Sequence, residues 1–396
     1  MDFEFKYTPE MEEFRKEVRS WLDENLTPDV GAPVHALDVT YEQFKSNMAF
    51  RGRLGQKGWY APQWPKEYGG GGLTPELAVV LEEELESRID HLGNVMVNGD
   101  IGFTAAAAIM HMGDDEQRRR YLPEILSGKN VVWELFTEPN AGSDLPSMTT
   151  TAIRDGDEYV FNGQKIFVGA LHDPNYMFAI AVTNPDRPRH ANLGAFMIPA
   201  DTPGITVHNL DLIGGGGKRS IFLEDVRVPA DCLIGKEGEG WRAFTGRREI
   251  SASAVVARNH NLERLLEHSK NHKRNGAPIS EDPNVRDKLV EAYLRAHTLK
   301  LWSKRNYWIG ITGQRFGYEG QQAGLNRKLF GPVLAETMLS AMGPAALIKD
   351  AEYGAYNGEA EAYARESIVM GHPGGTVEIH KMRMWRGFTG NTMFER

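Results

Sequence analysis

The sequence predicts an α+β chain, mostly α: an N-terminal helical domain over 1–128, a middle antiparallel β-barrel-like domain over 129–238 and a C-terminal helical bundle over 239–396. Three observations predict it. Apolar residues recur at helical spacing through the opening segment. Short β-branched and aromatic runs then follow one another at roughly ten-residue intervals, separated by Gly, Asn, Asp and Pro. Helical periodicity returns after Trp241 in long segments. An α, then β, then α order without internal repeat excludes a doubly wound parallel sheet.

The elements follow in chain order. Met11, Phe14, Val18, Trp21 and Leu22 mark one buried face of a helix over 8–25. A second helix is predicted over 41–56. The segment GWYAPQWPKEYGGGG, 58–72, is turn-rich and reads as a loop. Helices are expected again over 75–86, 100–112 and 114–126, the last with Asp114 as its cap. The runs VVWELF, TTTAI, EYVFNGQKIFV, YMFAIAVT, LGAFMIPA, ITVHNL and SIFLEDVRVP read as strands. Further helices are expected over 241–271, 283–309 and 323–342, with a last one from about Thr376.

Composition narrows the function classes. With 45 Lys+Arg against 54 Asp+Glu and a formal charge of -9, the 396-residue chain has no general attraction for phosphate backbones, and nucleic acid is not expected as a partner. Cys232 is the only thiol, which excludes an internal disulfide and a cysteine zinc site and fits a reducing, cytoplasmic setting. The acidic, amphipathic N-terminus lacks the pattern of a secretion signal, and no run reaches the roughly 18 apolar residues of a membrane helix.

The glycine clusters Gly69–Gly72 and Gly214–Gly217 lack the preceding strand and following helix that a phosphate loop requires. His260, His268 and His272 share a helical face, but Ser269 stands where a zincin would carry Glu, so all three read as solvated or core-edge groups. The informative segment is FTEPNAGSD, 136–144, followed by DGDEY and NGQKIF. Its Pro-Asn-Ala-Gly-Ser-Asp run forces tight turns and gathers backbone amides with the Thr137 and Ser143 hydroxyls. Such a cluster can hold the polar edge of a heterocycle, or it can merely cap its own backbone.

Taken with GDDEQRRRYLPEILSGK, DGDEYVFNGQK, FLEDVRVPADCLIGKEGEGW, NRKLFGPVLAETMLSAMGP and GGTVEI, this motif makes the chain resemble the acyl-CoA dehydrogenase family over nearly its full length. The resemblance implies FAD between the β-domain and the C-terminal bundle, an acyl-CoA substrate, an electron-transferring flavoprotein or similar acceptor, a role in fatty-acid and lipid degradation, and a homo-oligomer, dimer or tetramer. It places Phe136, Thr137, Gly142 and Ser143 at the flavin ring and thioester entry. Phe167 and Gly169 stand where relatives usually have Trp and Ser or Thr, so the hydroxyl usually donated near flavin N5 is missing. Thr376 and Glu378 match a loop that contacts FAD, and Gly343 matches the adenylate loop. The usual Arg-x-x-Phe-Gly is replaced by HKRNGAP, where Lys273 or Arg274 could reach a diphosphate or form a solvated basic turn.

The implied reaction removes an α-proton from a thioester and passes a β-hydride to flavin, so it needs a carboxylate base. Relatives often carry that base just before Gly-Thr near the C-terminus, where this chain has Gly374. The pattern resembles the isovaleryl-CoA and long-chain type, in which a Glu on the helix after the β-domain serves instead. The corresponding carboxylate is Glu249, with Arg247 and Arg248 near the CoA diphosphate or orienting the Glu. A surface salt bridge is the alternative role for Glu249, and His372 is a further candidate base. The missing C-terminal Glu and the smaller residues at 167 and 169 suggest a branched, cyclic or otherwise bulky acyl group. Two other readings remain: a non-catalytic partner subunit of a heteromeric acyl-CoA dehydrogenase, and a same-fold flavin oxidase acting on a non-CoA substrate.

Overall fold

The computed structural model describes residues 7–30, 41–88, 102–169, 173–213, 218–245, 259–312, 314, 316–350 and 352–390. The chain divides into two compact units, Pro9–Ser251 and Ala252–Arg396 with Met1–Thr8.

The first unit opens with helices α1 (Pro9–Asn25), α2 (Tyr41–Gln56), α3 (Pro75–Arg88), α4 (Phe103–Met112) and α5 (Asp115–Leu126). In α1 the buried positions are Met11, Arg15, Val18 and Leu22, one stripe at three-and-four spacing. The buried Arg15 donates to Glu84 at 2.8 Å and Glu83 at 2.9 Å on α3, and Arg19 donates to Glu84 at 2.8 Å, so the helices are joined by charge as well as by packing. Burial works to raise the Glu84 carboxyl, but the hydrogen bonds from Arg19 and Arg15 outweigh it and hold the group below its ordinary value. Asp114 caps α5 as expected, accepting from the Gln117 amide at 2.8 Å while the Gln117 side chain accepts in return from the Asp114 amide at 3.3 Å. The loop 58–72 is packed rather than extended. Trp59, Tyr60, Trp64 and Tyr68 are buried in it, and a Cβ on Gly70 would lie 2.3 Å from the Trp64 carbonyl oxygen. These glycines therefore serve close packing, in line with their rejection as a phosphate loop.

Strands β1 (Val132–Leu135), β2 (Thr151–Asp155), β3 (Glu158–Gly169), β4 (Tyr176–Val182), β5 (Leu193–Pro199), β6 (Ile205–Leu210), β7 (Lys218–Pro229) and β8 (Leu233–Ile234) form one eight-stranded sheet, in the order β6-β7-β3-β2-β4-β5-β8 with β1 on β4. Most pairs are antiparallel, but β1 and β2 each run parallel to β4. The sheet is open, so the expected barrel-like closure does not form. The strand order ends at the six-residue β6 on one side and the two-residue β8 on the other. The apolar runs of β4 and β5 are buried on both faces, as expected of central strands. Their alternate residues feed two cores. Phe178, Ile180, Ala195 and Met197 pack with the helices, whereas Met177, Ala179, Phe196 and Ile198 pack with Tyr159, Phe161 and Ile221. A short helix α6 (Arg242–Thr245) follows the sheet.

The second unit contains α7 (His260–Asn271), a two-stranded hairpin of β9 (Lys273–Arg274) and β10 (Ala277–Pro278), then α8 (Pro283–Ile311), α9 (Glu319–Met342), α10 (Glu359–Val369) and α11 (Val377–Thr389). Its core joins Leu262, Leu265, Val285, Leu289, Leu334 and Met338. Asn259 caps α7 by accepting from the Leu262 amide at 2.9 Å. Among the described residues no helix is long and apolar enough to cross a membrane.

Candidate functional site

The first cluster of site residues lies where β1 runs out. Pro139 and Asn140 form the tip of a turn closed by two backbone hydrogen bonds of 3.1 Å between Glu138 and Ala141. Gly142 and Ser143 follow, both exposed. The Ile166 amide donates to the Thr137 carbonyl oxygen at 2.8 Å, which brings the start of the turn beside β3, one residue before Phe167. Phe136 is half-buried and packs edge-on against Phe244 at 4.7 Å and Phe178 at 5.9 Å. Phe167 has φ +59° and is 51% exposed, an uncommon conformation for an aromatic residue that projects its ring from a bulge in the β3–β7 pairing.

Gly169 pairs with Lys218 of β7, and a Cβ on Gly169 would lie 2.9 Å from Lys218 Nζ. The space that a serine or threonine side chain would enter is thus occupied by an ammonium group. That neighbour is not legible from the sequence, because it depends on the register of two distant strands.

Beneath the turn lies a buried ion pair that the sequence reading did not single out. Glu138 is 4% exposed and Lys165 0%. Lys165 Nζ donates to Glu138 Oε1 at 2.8 Å, the Phe136 carbonyl oxygen at 3.2 Å and the Ile180 carbonyl oxygen at 2.7 Å. Glu138 also accepts from the Thr149 amide at 2.6 Å, Thr149 Oγ1 at 3.0 Å and the Thr150 amide at 3.0 Å. Burial works to raise the Glu138 carboxyl, but the Lys165 charge and these hydrogen bonds outweigh it and keep the carboxyl below its usual range. The same burial lowers Lys165 from its ordinary value, while three oxygen acceptors match the three donors of an ammonium. The signal that could have found the pair is an acid in FTEPNAGSD and a base in NGQKIF, the base being the only charge in its segment.

Outside the turn, Asp144 accepts from Arg189 and from the Ser147 hydroxyl, which ties the end of the motif to the β4–β5 loop. His190 of that loop packs at 4.9 Å, tilted by 59°, on Trp241, and Trp241 packs at 5.4 Å on Phe244.

In the second unit, Thr376 caps α11 by accepting from the Ile379 amide at 3.2 Å, and Glu378 is exposed in the first turn of that helix. Gly374 and Gly375 precede it with φ +71° and +95°. A Cβ on Gly374 would meet nothing within 4 Å. Lys328 Nζ of α9 fixes the approach to these glycines by donating to the carbonyl oxygens of Met370 at 3.1 Å and Pro373 at 2.6 Å. His372 is exposed, with its Nδ1 3.2 Å from the Val369 carbonyl oxygen. Gly343 ends α9 with φ +64°. Arg274 donates to the Ser340 and Ala341 carbonyl oxygens at that helix end, at 3.0 and 2.9 Å, and so is neither a solvated basic turn nor free for a diphosphate, while Lys273 beside it is exposed. The His268 and His272 rings stack at 3.9 Å, and no metal-binding cluster occurs among the described residues. Arg247, Arg248 and Glu249 lie outside the described residues.

Models of the acyl-CoA dehydrogenase N-terminal, middle and C-terminal domains match residues 8–129, 134–226 and 239–388. The acyl-CoA dehydrogenase IpdE1 of Mycobacterium tuberculosis (strain ATCC 25618 / H37Rv) is 31% identical over 309 residues, 74% of this chain and 76% of its own. The chain belongs to the acyl-CoA dehydrogenase family. Acyl-CoA dehydrogenase FadE26 of the same organism is 28% identical over 389 residues, 95% of each chain. Among solved structures, the ChsE4–ChsE5 complex from Mycobacterium tuberculosis matches with a TM-score of 0.77 and 25% identity over 98% of this chain and 99% of its own.

Membership makes the protein an FAD-dependent oxidoreductase, and the first cluster fits that cofactor. Among the described residues, the hydroxyls of Thr137 and Ser143 and the amides of Gly142 and Ser143 donate to no protein group. Four donors on one exposed turn suit the acceptor-rich pyrimidine edge of a flavin, and the projecting Phe167 ring suits its apolar face.

Proposed function

We propose that the chain is an acyl-CoA dehydrogenase that forms an α,β double bond in a CoA thioester, with Glu249 as the base. The observation that carries the reading is the turn at 136–143, which carries unpaired donors and is bonded through Thr137 to Ile166, next to the projecting Phe167. Phe136, Thr137, Gly142, Ser143, Phe167 and Gly169 hold the isoalloxazine, and Gly343, Thr376 and Glu378 hold the rest of the FAD. When bound, FAD supplies the acceptor for the β-hydride. Glu249 takes the α-proton, and Arg247 and Arg248 engage the CoA diphosphate or orient that carboxylate, while Ser143 lies at the thioester entry. Gly374 has no carboxylate to offer, which favours a base from another segment, and the open space around it suits a bulky acyl group. A three-domain division at 1–128, 129–238 and 239–396 is supported by the extents of the matched family models. Electrons pass on to an electron-transferring flavoprotein or similar acceptor, from a homo-oligomer.

The test is bleaching of the flavin absorption by saturating acyl-CoA in the parent and in Glu249→Gln. The variant is expected to lose about 10²- to 10⁴-fold in bleaching rate, and an unchanged rate removes Glu249 from the role.

A second reading makes this chain the non-catalytic partner in a heteromer. It is favoured by the glycines at 169 and 374, and by similarity to a structure described as a complex of two differently named chains. A chain purified alone without yellow colour selects this reading.

A further inference from the structure

The Glu138–Lys165 pair binds more backbone than a packing contact would. Lys165 Nζ holds the carbonyl oxygens of Phe136 and Ile180, and Glu138 holds the amides of Thr149 and Thr150. Phe136, Thr149 and Thr150 stand at the two ends of the segment 136–150, whose interior presents Thr137, Gly142 and Ser143, and Ile180 on β4 anchors the lysine to the sheet. The neighbouring strands β4 and β5 have their own support, being paired in full register and buried in apolar contacts. A buried ion pair is a weak source of stability, because removing both charges from water offsets most of their attraction. What a fully satisfied buried network supplies is a single geometry.

We propose that Glu138 and Lys165 are positioning residues for the flavin-binding turn, fixing both ends of segment 136–150 so that its unpaired donors and the Phe167 ring meet one ligand. The proposal rests on the reading of that turn as the FAD site. Lys165 reaches the turn from β3, next to the residue whose amide bonds Thr137, so the ring and the donors are set by one strand. Glu138 makes the tip bridge with Ala141 through its own backbone, so its side chain and main chain fix the same turn from opposite sides.

The experiment titrates apo-protein with FAD, following flavin fluorescence and the visible absorption band, for the parent, Glu138→Gln, Lys165→Met and the double variant. Lys165→Met is expected to melt at lower temperature, because it leaves a buried carboxylate without its cation. The double variant is expected to keep the parent's circular dichroism, to melt no lower than Lys165→Met, and to bind FAD about tenfold more weakly, with a shifted flavin band. Parent-like FAD affinity and spectrum in the double variant overturn the proposal. Should the double variant not fold, the near-isosteric Glu138→Gln decides by the same two readouts: weaker binding with a shifted band supports the positioning role, and parent values overturn it. A parent that binds no FAD overturns the site assignment itself, and is distinguished by the colourless parent.

Discussion

At the scale of single residues, Gly169 shows how a departure from a family pattern is absorbed by its surroundings. The resemblance implies a missing hydroxyl, and the structure places Lys218 Nζ 2.9 Å from where a Cβ would stand. A cation is thereby held at the end of β3, two residues from the projecting Phe167. Introducing a side chain there forces the end of a flexible lysine aside rather than the backbone. Gly169→Ser is therefore expected to change unfolding free energy by less than about 1 kcal/mol in a denaturant titration. It is expected to shift the flavin absorption band, because it replaces a nearby charge by a neutral donor. An unaltered band would mean that neither group reaches the cofactor. Glu249 marks the opposite limit at this scale: its candidacy comes from resemblance and elimination, and its position lies outside the described residues.

At the scale of elements, legibility followed the strength of the local pattern. Helices α1, α2 and α5 and strands β3 to β7 stand within two or three residues of their expected bounds, because each carries a clear period or punctuation. Helix α10 carries no clear period in the sequence. Its buried residues are Ala360, Ala362 and Ser367, whose small side chains leave almost no amphipathic signal, and Gly358 before it reads as a loop. The two-residue β8 was missed for a different reason, since its pairing with β5 is a long-range event. Openness of the sheet was equally hidden, because strand spacing reports how many strands exist and not whether the edges meet. Of the candidate site, the donors at 136–143 were legible from turn chemistry, whereas Lys218 and the Glu138–Lys165 pair depend on register. The cap of α11 gives a prediction at this scale. Thr376→Ala removes the acceptor for the Ile379 amide and is expected to cost about 1 kcal/mol of stability, measured by denaturant unfolding, with Thr376→Ser restoring most of it.

At the scale of the whole molecule, two depressed carboxyls set the acid limit. Glu84 and Glu138 both titrate below their ordinary value in the folded chain. Each therefore contributes stability that is fully present above the unfolded carboxylate value of about 4.3 and lost as pH falls through the lower folded value. The melting temperature is expected to hold from pH 7 to about 5 and to fall below about 4. Glu84→Gln should cost about 1–3 kcal/mol at pH 7 and flatten the acid limb, since Arg15 keeps only part of its partnership. A variant with an undiminished acid limb would show that other groups set it.

The final helix bears on how the protein behaves on dilution. No side chain of α11 is buried, and Trp385 and Phe388 on it are 60% and 71% exposed. One side of this short helix rests on α9 through His380 against Gln321 and Phe388 against Tyr318, while its apolar residues stay largely in water, where a covering surface would add to its firmness. If copies of the chain supply that cover, micromolar and nanomolar solutions will differ: Trp385 emission will move to the red and the melting midpoint will drop as the protein is thinned out. Identical traces across that range would describe a lone protomer that tolerates a wet indole.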